Sequence, residues 1–136
     1  MRSLLTLTLF FPLLIFTQNS WQQLGQDIDG EAANDYSGYS VSLSSDGTIV
    51  AIGALYNDGN DSNSGHVRVY EYNSSTNAWS QLGSDIDGEA NNDYSGKVSL
   101  SSDGTKVAIG AYKNDGNGSN SGHVRVYEYN SSTNAW

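Results

Sequence analysis

"DYSGYSVSLSSDGTIVAIGA", Asp35 to Ala54, holds two short strand-like runs around a Ser-Asp-Gly turn. In "SVSLS", Ser40 to Ser44, Val41 and Leu43 fall on one face. "SDG", Ser45 to Gly47, supplies a hairpin turn in which the glycine can take a positive φ. "TIVAIGA", Thr48 to Ala54, is the most apolar run and is expected to be buried on both faces. Its small residues Ala51 and Gly53 suit sheets packed closely face to face. Downstream, "HVRVYEY", His66 to Tyr72, puts Val67 and Val69 on one face and Arg68, Tyr70 and Tyr72 on the other. "NSSTNA" then turns the chain into "WSQLG", Trp79 to Gly83, the fourth and weakest strand. Four antiparallel strands without helical periodicity indicate a β-propeller blade. A β-sandwich made by two such units, or a solenoid, are the alternatives. One blade leaves two broad faces uncovered and needs a neighbour on each side.

The opening stretch returns as "DYSGKVSLSSDGTKVAIGA", Asp93 to Ala111, one residue shorter. Trp21–Ala78 and Trp79–Ala135 are nearly identical, and Trp136 aligns with Trp21 and Trp79. The expected organisation is a leader over 1–20, one repeat over 21–78, and a second over 79–136 that stops at the start of a third copy. The period lies near that of kelch blades, about 50 residues. Ile49 becomes Lys106, which suggests that this strand end reaches solvent. Ser40 has no partner in the second copy. A deletion inside the strand would turn Val98 and Leu100 to the wrong face. It must be absorbed ahead of Val98, at Gly96–Lys97, as a shortened loop or a lost bulge. That places the strand starts near Val98 and Val41.

The 136 residues carry a formal net charge of −9, with only 6 Lys and Arg. Nucleic acid is excluded as a partner, because its phosphates must be neutralised by basic side chains. Without cysteine there is neither a disulfide framework nor a thiolate metal site. "MRSLLTLTLFFPLLIF" has one early positive charge, Arg2, and an apolar run from Leu4 to Phe16. That run is shorter than the roughly 20 residues of a membrane span and fits the apolar core of a secretory signal peptide. The chain is expected to be secreted or at the cell surface, and not membrane-spanning.

"YSGYSV" (Tyr36 to Val41), "VAIGA" (Val50 to Ala54) and "GHVRVYEY" (Gly65 to Tyr72) follow the order of the FG-GAP repeat family. The second copy repeats the last two. The chain resembles that family, which builds the β-propeller of integrin α chains and of many secreted bacterial and algal proteins. The resemblance implies an all-β fold of two four-stranded antiparallel β-propeller blades, a partial propeller. It also implies extracellular binding or cell adhesion. The chain departs from the pattern at Ser37, where the family often has Phe, and at Leu55 and Tyr112, where it has Pro. Integrin-type blades carry a carboxylate-rich calcium loop between their first two strands. Here "SSDGT" offers only Asp46 or Asp103, and Ca²⁺ takes about six to eight oxygens. That calcium role is not carried over.

In an up-and-down blade the 1–2 and 3–4 turns share one end, and the 2–3 and 4–1 loops share the other. The second end receives the long loops "QDIDGEAANDYSG", Gln26 to Gly38, and "LYNDGNDSNSG", Leu55 to Gly65. Long loops on a rigid scaffold are where binding usually lives. The first copy places Asp27, Asp29, Glu31, Asp35, Asp58 and Asp61 there; the second places Asp85, Asp87, Glu89, Asp93 and Asp115. An acidic binding face for a protein or glycan ligand outside the cell is expected. Calcium is the one cofactor these loops could take, with Asp58, Asn60, Asp115 and Asn117 as candidates. The competing reading is that Asp, Asn and Gly are present for tight turns, and the change of Asp61 to Gly118 favours it. His66 and His123 are read as packing or surface residues. Arg68 and Arg125 are expected to pair with Glu71 and Glu128. Asn60, Asn73, Asn117 and Asn130 head sequons that would carry glycan in a eukaryotic secretory pathway. No catalytic constellation stands out, so the chain is read as a non-enzyme; a purely structural repeat or an extracellular hydrolase are the other readings. Propellers close with about 4 to 8 blades. Two repeats therefore imply a piece of a longer protein, or self-association into a ring.

Overall fold

A computed structural model describes residues 20–136. The proposed signal segment lies outside the described residues, apart from Ser20. The described chain is all-β and forms two antiparallel sheets. No helix in it is long and apolar enough to cross a membrane.

The first sheet holds β1 (Ser37–Leu43), β2 (Ile49–Ala54), β3 (His66–Asn73) and β4 (Ala78–Gln81) in chain order. A two-residue strand, β5 (Ile86–Asp87), joins its edge by pairing Val67 with Ile86 and His66 with Asp87. The second sheet holds β6 (Ser95–Leu100), β7 (Lys106–Ala111) and β8 (His123–Glu128). It has three strands rather than the expected four. Only an isolated bridge, Asn130 to Ala135, marks the beginning of a fourth.

The hairpin turns follow from Asp46 and Asp103. Asp46 Oδ1 accepts from Ser44 Oγ, Thr48 N and Thr48 Oγ1 at 2.7, 3.0 and 2.9 Å. Asp103 repeats the pattern with Ser101 and Thr105. These bonds, Ser101's first, hold the Asp103 carboxyl at about 2. Both carboxylates are committed to turn formation.

The length difference between the repeats sits in a bulge. In β1, Ser37 pairs with Ala54 and Ser40 with Gly53, leaving Gly38 and Tyr39 between them. In β6, Ser95 pairs with Ala111 and Lys97 with Gly110, leaving only Gly96. The reduced bulge keeps Val98 in register, as a strand with period two requires. Two corrections follow. The residue without a counterpart is Tyr39, with Lys97 standing where Ser40 stands in the first repeat. The strands also begin ahead of the bulge, at Ser37 and Ser95, rather than near Val41 and Val98.

The sheets stack broad face to broad face. The core comprises Ala51, Val67, Val69 and Ile86 together with Val107 and Ile109. Val98 and Leu100 pack against it. Gly53 permits the close approach: a Cβ there would stand 1.8 Å from the Gly96 carbonyl oxygen. The outward amides of β6 are satisfied across the seam, with Val98 N donating to Ser40 Oγ at 3.1 Å and Leu100 N to Ser42 Oγ at 2.9 Å. Each sheet therefore has one covered face and one open face. Val41, 62% exposed, and Leu43 lie on the open face of the first; Val124 and Val126, 69% exposed, lie on that of the second. Four consecutive residues of β2, Ala51 to Ala54, are buried, whereas in β7 Ala108 and Gly110, on the side turned away from the first sheet, are only half-buried. Ile49 is half-buried against Gly104 of the next sheet. Lys106 is exposed, with no further sheet over it among the described residues, so the Ile49-to-Lys106 change follows position in the described stack.

Candidate functional site

The long loops gather at one end of both sheets, beyond Ala54 and the start of β3. A repeated anchor holds them. Asp35 is buried and accepts from Asn57 Nδ2 at 2.9 Å and Ala32 N at 3.2 Å. Asp93 is buried in the same way, against Asn114 Nδ2 at 2.8 Å and Ala90 N at 3.2 Å. Of the eleven acids expected at a binding face, these two point inward and brace the loops. Asp58 and Asp115 are exposed, but each accepts a loop amide five residues on, from Asn63 at 2.7 Å and Asn120 at 2.6 Å. Asp61 accepts from Ser62 N at 2.8 Å. Asn60 turns its amide to the Gly88 carbonyl oxygen across the seam at 2.9 Å. Asn117 has only its backbone amide engaged, by Ser121 Oγ at 3.3 Å. The calcium candidates fall as one pair in each loop, and in both pairs the aspartate is engaged by turn bonding.

Three acids pair with the two arginines instead. Arg68 forks onto Asp85, Nε to Oδ1 at 2.8 Å and Nη2 to Oδ2 at 2.7 Å, and its Nη2 also reaches Glu31 Oε2 at 2.8 Å. This bidentate geometry is the strong form of an ion pair. The Arg68 hydrogen bond holds the Asp85 carboxyl below its usual value. Arg125 pairs with Glu89 and donates to the Tyr127 hydroxyl at 3.3 Å. The expected partners Glu71 and Glu128 are therefore corrected. Residues an odd number apart in a strand sit on opposite faces, so Glu71 and Glu128, three residues on, point away from Arg68 and Arg125; Glu128 instead accepts from Lys106 at 2.7 Å.

His66 is buried, and its Nδ1 has no hydrogen-bond partner; Asp85 Oδ2 lies 3.8 Å away. Burial first, and Arg68 next, pull its pKa down. Asp87 is pushed up by burial and by the Asp85 charge. Glu31, His66 and Asp85 approach one another closely enough for a cation, yet the Arg68 guanidinium already supplies the positive charge there. Asp27, Asp29 and Glu89 are exposed. Asp27 Oδ1 accepts from Gln23 Nε2 at 2.8 Å, just as Asp85 Oδ1 accepts from Gln81 Nε2 at 2.7 Å.

A feature that sequence reasoning missed crosses this end. Tyr36, Tyr56, Tyr94 and Tyr112 form a continuous row, with successive ring centroids 5.0, 5.1 and 5.7 Å apart. Tyr36 is 60% and Tyr112 50% exposed. Lys113 Nζ lies 4.6 Å from the Tyr94 ring centroid. Tyr36 and Tyr94 adopt φ of 55° and 52°, a left-handed conformation uncommon for a bulky residue. The signal available in the sequence was limited to Tyr36 and Tyr94, which recur at one position; Tyr56 and Tyr112 stand at neighbouring, non-equivalent positions, opposite Lys113 and Leu55.

No curated protein matches the chain. The family model described as FG-GAP repeat matches residues 28–70 and 84–127, one match on each sheet with its leading loop. Those two matches span more than half of the sequence and coincide with the repeated strand–turn–strand units, so the protein belongs to the FG-GAP repeat family.

Proposed function

We propose that the protein is a non-catalytic extracellular binding module, whose loop end docks a protein or glycan ligand in the manner of an adhesion domain. The tyrosine row carries this reading. Tyrosine offers a large, rigid apolar face with a polar tip at small entropic cost, and such residues dominate recognition surfaces. Four of them meet at the end where both sets of long loops converge. Two are held in a backbone conformation that costs of the order of 1–3 kcal/mol and is tolerated mostly where geometry matters for function. FG-GAP repeats are typical of extracellular and cell-surface proteins, which supports the location. Calcium is not needed for this reading, because the loop carboxylates already hold amides.

The test is a tyrosine-fluorescence titration with a lysine-rich peptide and with neutral oligosaccharides. Saturable binding is expected for one class of probe, weakened about tenfold or more by Tyr36→Gly, since a central aromatic contact contributes upward of about 1.4 kcal/mol. Glycine accepts the left-handed conformation, so this variant keeps its melting temperature. Undiminished binding by Tyr36→Gly, or no saturation with either probe, leaves a purely structural repeat as the better description.

A further inference from the structure

The open face of the second sheet reproduces the covered face of the first, except that Lys97 and Lys106 replace Ser40 and Ile49. Val124 and Val126 stand where Val67 and Val69 receive β6. Gly110, Ala111, Gly122 and His123 line a recess of 530 Å³. Its counterpart at Gly53, Ala54, Gly65 and His66 is filled by the Ser95–Gly96 backbone. The open face of the first sheet, Val41 and Leu43, likewise reproduces Val98 and Leu100.

We propose that a second copy of this chain docks head to tail, its first sheet covering the open face of the second sheet by the contact that already joins the two sheets. Continuity with that internal interface and charge complementarity both single out this occupant. Arg125 has the Glu89 partner but lacks the forked carboxylate that Asp85 gives Arg68. The corresponding carboxylate is Asp27 of the second copy, already oriented by Gln23 as Asp85 is by Gln81. Ile28 and Asp29 of that copy then pair with Val124 and His123, as Ile86 and Asp87 pair with Val67 and His66. Trp136 donates to the Leu82 carbonyl as Trp79 does to that of Leu24. Ser99 accepts the Leu43 amide in place of the Ser42–Leu100 bond. Lys97 stands where Ser40 would, so the joint has one hydrogen bond fewer than the internal seam. The contact is heterologous, and such contacts close into rings or propagate. A propeller of about 4 to 8 blades corresponds to about two to four copies.

Sedimentation velocity on the full chain tests this with Val41→Glu, which spoils the entering face, and Val126→Glu, which spoils the receiving face. Both positions are exposed, so neither substitution touches the core. The wild type is expected to assemble, and each variant alone to be monomeric. An equimolar mixture should form a 1:1 heterodimer and stop, because one sound face of each kind remains. A monomeric wild type at about 100 μM, where any contact of micromolar affinity would be populated, overturns the proposal and assigns the face to another occupant. Assembly that persists in both variants, or a mixture that stays monomeric, overturns it equally.

Discussion

Arg68 and Arg125 hold the same place in their repeats but differ in surroundings. The Arg68 fork onto Asp85 ties β3 to the segment leading into β5, within the first sheet, and its side chain is mostly buried. Removing it strands a partly desolvated carboxylate. Arg68→Ala is expected to cost about 2–3 kcal/mol, the scale of a charged hydrogen bond lost. Arg125→Ala should cost less than about 1 kcal/mol in the monomer, as an ordinary surface pair does. Urea unfolding of both variants checks the contrast, and equal losses would contradict it. His66 sets a pH dependence with a definite sign. Its folded pKa lies below 6.5, so below that pH the unfolded chain takes up a proton that the folded chain refuses. Stability is therefore present above 6.5 and falls as pH falls toward the folded value. Asp85, held low by Arg68, adds a further loss on acidification below 3.8. Asp87, pushed up, has the opposite sign and favours the fold in acid, losing that favour as pH rises through its folded value. Melting temperature against pH should flatten just below 6.5 in His66→Asn; an unchanged slope would assign it elsewhere.

At the scale of strands, most of the pattern was readable from period-two alternation. Val67 and Val69 buried beside half-exposed Arg68 and Tyr70 is the expected arrangement. β5 was not readable, because two residues carry no periodicity and its partner lies a whole hairpin away. Nor was the tyrosine row, which joins loops from different repeats. The inward turn of Asp35 and Asp93 was equally hidden, since a turn-rich context does not distinguish a bracing carboxylate from an exposed one. The bulge was predictable in place, but only the ladder register showed that Lys97 replaces Ser40. Gly53 and Gly110 separate covered strands from open ones. A Cβ at Gly53 runs into the Gly96 carbonyl, whereas at Gly110 its nearest neighbour is 3.5 Å away. Gly53→Ala should lose about 1–3 kcal/mol from overpacking. Gly110→Ala should leave chemical denaturation of the monomer unchanged within about 0.5 kcal/mol. Comparable losses at both would mean that the two faces are not differently covered.

For the whole molecule, everything rests on two sheets stacked through their apolar faces, with like faces left open at either side. This arrangement places all long loops at one end, aligns the tyrosines, and makes the chain complementary to itself. Repeats that contact only their neighbours derive much of their stability from the interface between them. The backbone signature of that interface is the pair of β6 amides received by the hydroxyls of Ser40 and Ser42. Residue-resolved amide exchange by NMR, comparing wild type with Ser42→Ala, interrogates it directly. The stacked arrangement predicts that the Leu100 amide exchanges faster by about tenfold, the equivalent of about 1.4 kcal/mol, while the amides paired between β7 and β8 keep their protection. Unchanged exchange at Leu100 would mean that β1 does not lie against β6, and would contradict the stack.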